Sequence, residues 1–336
     1  MRIAALTGRV IGTFALLLCS RALVAGEPTH ASLTLLKTIP LPDVKGRFDH
    51  FTINAATQRL FVAALGNNTV EVVDLQAGKR LRSIAGCSKP QGVVFVPKGD
   101  LLLVANGGDG RLRIHDGATF NPIATIGSLE DADNLRYDSR AGRVYVGYGN
   151  GALGLLNPAT GVLTGSVKLL GHPESFQLEQ EGSRIFVNVP EARHVAVIDR
   201  QTRGVLEAWL LPGAQANFPM ALDEAGHRLL VGCRSPPELV VLNTETGKSV
   251  GQVGISGDTD DLFYDAKRKR IYISCGEGAI DVIEQKDPDH YGARERIPTA
   301  AGARTSFFSP DLDRFYLAVP RRGEQPAEIR VYQPGN

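Results

Sequence analysis

Apolar and polar residues along this chain alternate in short runs, four to a unit, and the units recur with no helical periodicity between them. One run marks the beat: "RLFVAAL" (59–65), "LLLVANG" (101–107), "RVYVGYG" (143–149), "RIFVNVP" (184–190), "RLLVGCR" (228–234), "RIYISCG" (270–276) and "RFYLAVP" (314–320). Successive starts lie 42, 42, 41, 44, 42 and 44 residues apart. Each run is followed by a second strand that often ends in Asp or Asn ("TVEVVD", "RLRIHD", "HVAVID", "ELVVLN"). A turn containing Gly, Thr or Pro comes next, then a further strand such as "KRLRSIA". Ahead of each marked run sits one more strand, such as "HFTIN" or "SFQLE".

Four short strands in each of seven units of 40–45 residues predict an all-β fold, a seven-bladed β-propeller spanning 32–334 as a single domain. A two-sheet sandwich would not explain seven near-equal periods. The seventh unit runs out after "EIRVYQ", one strand short, and "SLTLLKTIPL" (Ser32–Leu41) is the spare strand that can complete it. Joining strands from the two ends of the domain removes an exposed sheet edge.

The rhythm of "FVAALGNNTVEVVDLQAGK" and "LLVGCRSPPELVVLNTETGK" resembles the YVTN-type, YncE-like propeller repeats, over roughly 32–334. No unit carries the literal tetrapeptide; "RVYVGYG" and "RIYISCG" come near it. The resemblance implies the fold. Propellers of this kind host enzymes, binders and scaffolds, so function has to be read from the site.

Composition narrows the classes. Of 336 residues, 37 are Lys or Arg and 36 Asp or Glu, a balance that sets up no field toward nucleic acid, and no nucleic-acid partner is expected. At the N-terminus, Arg2 and Arg9 precede the apolar run "VIGTFALLLCS" (10–20) and then small residues, the pattern of an export signal over 1–26. The run is short for a membrane span, no other stretch is long and apolar enough to be one, and no span is expected. Cleavage after 26 would remove Arg2, Arg9 and Arg21 and leave a formal charge of about −2 in place of +1. The expectation is an extracytoplasmic, periplasmic or secreted, monomeric protein. The remaining Cys87, Cys233 and Cys275 are odd in number and lack a C-x-x-C, so no disulfide framework is indicated. Buried free thiols are the reading, with a soft-metal thiolate the alternative.

The repeat also locates chemistry. Aligned units place Asp49, Gln91, Asp133, Glu174, Phe218, Asp260 and Arg304 in one column, just ahead of the innermost strand at the channel mouth. The next column is His50, Gly92, Asn134, Ser175, Pro219, Asp261 and Thr305. A propeller needs no acids there to fold, and like charges gathered at one opening raise one another's pKa or call for a cation. Arg304 stands between Asp260 and Asp49 and could neutralise both. Asp133 and Glu174, on adjacent blades, have no basic residue beside them in the column. With Asn134 they form a candidate site for a divalent metal ion, Ca²⁺ or Mg²⁺, and His172 in "GHPESF" would also admit Zn²⁺ or Mn²⁺. Arg136 could instead pair with Glu174 and leave no metal. The acids of "DTDD" (258–261) are expected to face those of "DADN" across the channel rather than share an ion.

Candidate ligand-binding residues are Asp49, His50, Gln91, Asp260, Asp261 and Arg304, joined from the strand-exit column by Asn106 and Tyr148 and from beside it by Arg234. Three function classes follow. The first is a binder of a small polar or anionic molecule, with or without a divalent ion. The second is a metal-assisted hydrolase, lactonase or lyase with His50 or His172 as base. The third is a protein-interaction scaffold without chemistry.

Overall fold

Strands that are apolar at nearly every position must be covered on both faces, and in this fold each sheet is covered by its two neighbours. The computed structural model describes Met1, Ala4, Gly8, residues 31–292 and residues 294–335. The chain divides into Met1–Ala31 and Ser32–Asn336, and the export signal expected over 1–26 lies almost wholly outside the described residues. The second unit is a seven-bladed β-propeller of antiparallel sheets. Its marked strands, among them Arg59–Ala64, Leu101–Asn106 and Arg314–Val319, are buried almost throughout. The outermost strands are half in water, and Val162–Lys168 alternates exposed and covered positions.

The first strand of each blade lies innermost: Phe51–Asn54, Pro90–Val96, Leu135–Asp138, Phe176–Leu178, Gln215–Asp223, Thr259–Asp265 and Ser306–Ser309. These seven touch one another in chain order, and the last returns to the first, so the wheel is closed. Seven apolar clusters fill the seven interfaces between neighbouring blades. Between blades 1 and 2, for example, the Phe61 and Phe95 rings stack at 6.1 Å with Phe120 edge-on.

The last blade is completed from the other end of the domain. Leu33–Pro40 pairs antiparallel with Glu328–Pro334, with Ile39 opposite Ile329, both fully buried. The sixth blade departs from the repeat. Its third strand, Ala279–Asp287, runs on to pair with His290–Tyr291 before the outer strand Glu295–Pro298 is laid down.

The Asp or Asn that ends the third strand has a local task. Asp74, Asp116, Asn157, Asp199 and Asn243 each accept a backbone N–H from the following turn, at 2.7–3.1 Å. Four residues after each of them the backbone is left-handed: Gly78, Gly161 and Gly247 fill that place in three blades, Phe120 and Arg203 in two.

Candidate functional site

Just ahead of the inner strands of blades 1, 3 and 4, the backbone makes one more bridge to the neighbouring strand of its own blade. Asp49 N–H donates to the Ala63 carbonyl and Ala63 N–H to that of His50. Asp133 and Glu174 are held the same way against Gly147 and Asn188. The bridge holds these residues at the channel mouth. The structure brings Asp49, Gln91, Asp133, Glu174, Phe218, Asp260 and Arg304 together around one cavity of about 160 Å³.

Backbone packing constrains the spot further. A Cβ at Gly92 would stand 2.1 Å from the Asp133 carbonyl oxygen, so blade 2 must present a bare α-carbon there.

Charge around the mouth is uneven. On the side of blades 5 to 7, Arg304 Nε lies 3.0 Å from Asp260 Oδ2 and its Nη1 lies 2.6 Å from Asp258 Oδ1. Arg234 hydrogen-bonds Asp260 while its guanidinium lies 3.7 Å above the Phe218 ring centroid. Arg47 pairs with Asp49 at 3.0 Å. Arg304 thus closes on Asp258 and Asp260, and Asp49 takes its direct partner from Arg47, a residue outside the aligned columns. Burial pushes the Asp260 carboxyl up, opposed by Arg304 and Arg234.

His50 sits among three acids: Nδ1 is 3.4 Å from Asp261 Oδ1, and Nε2 is 3.7 Å from Asp49 and 3.8 Å from Asp133. Burial opposes a charge on this ring, but its bond to Asp261 and the fields of Asp261, Asp49 and Asp133 outweigh it and lift the pKa to about 10. His50 is therefore a cation at neutral pH. It ties the two acidic loops together through one ring, where the sequence suggested only that they face each other. Asp49 is pushed up to about 7 by burial, with His50 pulling down and Asp133 pushing up.

The corner between blades 3 and 4 has no arginine in contact with its acids, and Asp133 meets only the imidazoles of His50 and His172, at 3.8 and 3.7 Å. Glu174 forms no ion pair or side-chain hydrogen bond among the described residues, and Asp133 Oδ1 is buried without a hydrogen-bond partner. Burial first, and then the charge of Asp133, raise Glu174 to about 8, with His172 pulling the other way. Arg136, which could have answered Glu174, turns away: it donates to the Leu135 carbonyl at 2.9 Å and lies against the Phe176 ring.

Asp133, His172 and Glu174 form a group whose ligand atoms all lie within 4.8 Å of one another. Small side-chain shifts bring such a set onto an ion bonded at about 2.0–2.2 Å. His172 Nδ1 lies 2.7 Å from the Gly149 carbonyl, which turns Nε2 toward Asp133 Oδ2 at 3.7 Å. A backbone carbonyl on one ring nitrogen is the usual way an imidazole ligand is oriented. Asn134 lines the same cavity, and its buried side-chain oxygen has no partner.

Other candidates fall elsewhere. Asn106 is fully buried and donates to the carbonyls of Val104 and Arg111, so its amide is tied to its own blade rather than to the mouth. Tyr148 lies outside the cavity lining with its hydroxyl 3.3 Å from Ser166 Oγ. Asp261 lies beneath the mouth, engaged by His50 and by the Ser306 N–H. Cys87, Cys233 and Cys275 are free and buried, and burial raises all three thiols, which matches inert core sulfur rather than thiolate ligands. Sequence reasoning passed over Arg47, which also lines the mouth, as does Asp131, the first acid of "DADN".

Comparison with known proteins agrees with the fold. The chain is 22% identical over 255 residues to the uncharacterized protein YncE of Salmonella typhimurium, covering 71% of each. An uncharacterized WD repeat-containing protein of Synechocystis matches 89 residues at 36% identity, 26% of this chain and 24% of that one. No family model matches the chain. Among solved structures, hydrazine synthase of Kuenenia stuttgartiensis aligns over 82% of this chain and 93% of its own, with a TM-score of 0.72 at 17% identity. A chain of the mitotic checkpoint complex aligns over 97% and 100% with a TM-score of 0.76 at 14% identity. These structural likenesses carry the architecture alone. With the YncE match they make this chain a YncE-like propeller.

Proposed function

We propose that this chain is an exported propeller that holds a divalent cation on Asp133, His172 and Glu174 at its channel mouth, and through that ion binds a small polar or anionic molecule. One observation carries the reading: the Glu174 carboxylate, half-buried and beside a second acid, forms no ion pair or side-chain hydrogen bond among the described residues. Two carboxylates held side by side repel each other, and an ion bound between Glu174 and Asp133 removes that cost. Two carboxylates and an imidazole suit Zn²⁺ or Mn²⁺ better than Ca²⁺, whose sites are built from oxygen. Arg47, Arg234 and Arg304 line the same cavity, so an anion seated on the metal meets positive charge beside it. The export part of the proposal rests on the basic and apolar pattern of residues 1–26.

The binding reading is preferred to a hydrolase or lyase because both candidate bases are already engaged: His50 lies among Asp49, Asp133 and Asp261, and His172 belongs to the ion-binding group. Untagged, chelator-stripped protein titrated with Zn²⁺, Mn²⁺ and Ca²⁺ in a calorimeter tests the site. One saturable ion per chain is expected. His172→Ala and Glu174→Gln should each weaken it by more than the roughly 10–100-fold that losing a residue behind a ligand costs. Folded variants that bind the ion as the parent does would refute the assignment. Intact-mass measurement after expression with the full N-terminus tests export, with a mature chain starting near residue 27 expected.

A further inference from the structure

Beneath the metal corner the axis of the wheel opens into a second cavity of about 260 Å³, with His50 and Ser175 common to both. Its walls come from the inner strands and are largely apolar and aromatic, with Phe51, Tyr137, Phe263 and Phe307 among them. Tyr137, Phe263 and Phe307 are only half-buried, so solvent reaches it.

Two cations line this cavity: His50, whose charge is answered by Asp261, Asp49 and Asp133, and Arg136. Arg136 occupies a position whose equivalents in the other six blades are Thr52, Val94, Gln177, Ala221, Phe263 and Phe307, none of them charged, so the fold does not require it. Its Nη1 donates to its neighbour's carbonyl and its Nη2 reaches Ser175 Oγ at 3.5 Å. No carboxylate lies within ion-pair distance of it among the described residues. Asp261, the one acid in the lining, is occupied by His50 and by the Ser306 N–H. A guanidinium presents five N–H donors in a fork that matches a carboxylate. Here the guanidinium lines a cavity that it shares with Tyr137, Phe263 and Phe307.

We propose that the lower cavity is a second binding site, for a small aromatic monocarboxylate. The acid group sits bidentate on Arg136 and the ring packs among Tyr137, Phe263 and Phe307. The site is separate from the metal corner and needs no ion. Phosphate and sulfate, which Arg136 could also pair with, would leave the aromatic walls without a partner, so the apolar body is part of the claim.

The test uses the full chain in excess EDTA, with 4-fluorobenzoate followed by fluorine NMR. Saturable binding is expected, at least about tenfold weaker for 4-fluorobenzamide, which keeps the ring and loses the charge. Arg136→Met should weaken benzoate binding by a similar or larger factor while the far-UV spectrum and melting profile stay native. If that variant does not fold, Phe307→Trp, which fills the cavity, should block binding instead. Absence of saturable binding to the parent, equal affinity for the amide, or undiminished binding by a folded Arg136→Met or Phe307→Trp would overturn the proposal. Because EDTA is present throughout, the outcome is independent of whether the upper corner holds a metal.

Discussion

At Gly92 a missing side chain decides where an acid can stand. The Asp133 carbonyl passes so close that a methyl group on blade 2 must push it away. Gly92→Ala is therefore expected to cost about 1–3 kcal/mol by overpacking and to weaken metal binding as well, measured by denaturant unfolding and ion titration on the same protein. Loss of stability with unchanged ion affinity would separate Gly92 from the site. The column holding Asp133 was legible because the repeat carries each residue to the same height on the wheel. What a side chain does at that height was not. Asn106 looks like a ligand contact in one dimension, yet its amide is consumed by two carbonyls of its own blade. Arg47 stands two places before Asp49, level in the repeat with Asp131, His172 and Asp258, but the pairing it makes with Asp49 is a matter of side-chain reach that the pattern does not carry.

The turns after the third strands show how faithfully one element is copied. Five carry an Asp or Asn that caps the turn and a left-handed residue four places on, and Arg203 takes that place at φ 58° with a side chain glycine would not have. Arg203→Gly should relieve that strain and raise stability by up to about 1 kcal/mol, read from the midpoint of urea unfolding. A clear loss would mean that its contact with the Thr164 carbonyl matters more. The closing strand is a second copied element, supplied from a distance. Ile39→Ala removes a fully buried side chain facing Ile329 and is expected to cost about 2–5 kcal/mol. It should also increase association by light scattering as the edge of Glu328–Pro334 loosens. The missing outer strand of blade 7 made the role of Ser32–Leu41 readable. The extra pairing in blade 6 was not readable, because His290–Tyr291 is too short to carry an alternating pattern.

For the whole wheel, the seams between blades are where charge bears on stability. Arg268, in the turn of blade 6, bonds Asp265 and the Gly335 carbonyl and grips Asp313 of blade 7 through both terminal nitrogens, at 2.7 and 2.8 Å. That hydrogen bonding, against a weaker effect of burial, holds the Asp313 carboxyl below its usual range. A carboxylate depressed in the folded state adds stability above its ordinary pKa of about 4, and the gain is lost as the pH falls through that value and on through the folded one. Arg268→Met should lower the melting temperature at pH 7, and its deficit against the parent should shrink on acidification below about pH 4. Asp313 is one-third exposed, so its share is kept to about 1 kcal/mol or less. A deficit independent of pH would show that the carbonyl bond to Gly335, not the charge, is what counts. The seven-fold architecture was the most legible property of the chain, since seven equal beats have few other three-dimensional solutions.

Because Leu33–Pro40 pairs in a sheet with Glu328–Pro334 alone, its seam can be made only after the intervening six blades have brought the two together. Loop-closure entropy makes that the slow, late event of assembly and the easiest one to reverse. Amide protons of this strand should accordingly exchange with deuterium sooner than those of the equally buried strands around the rest of the ring.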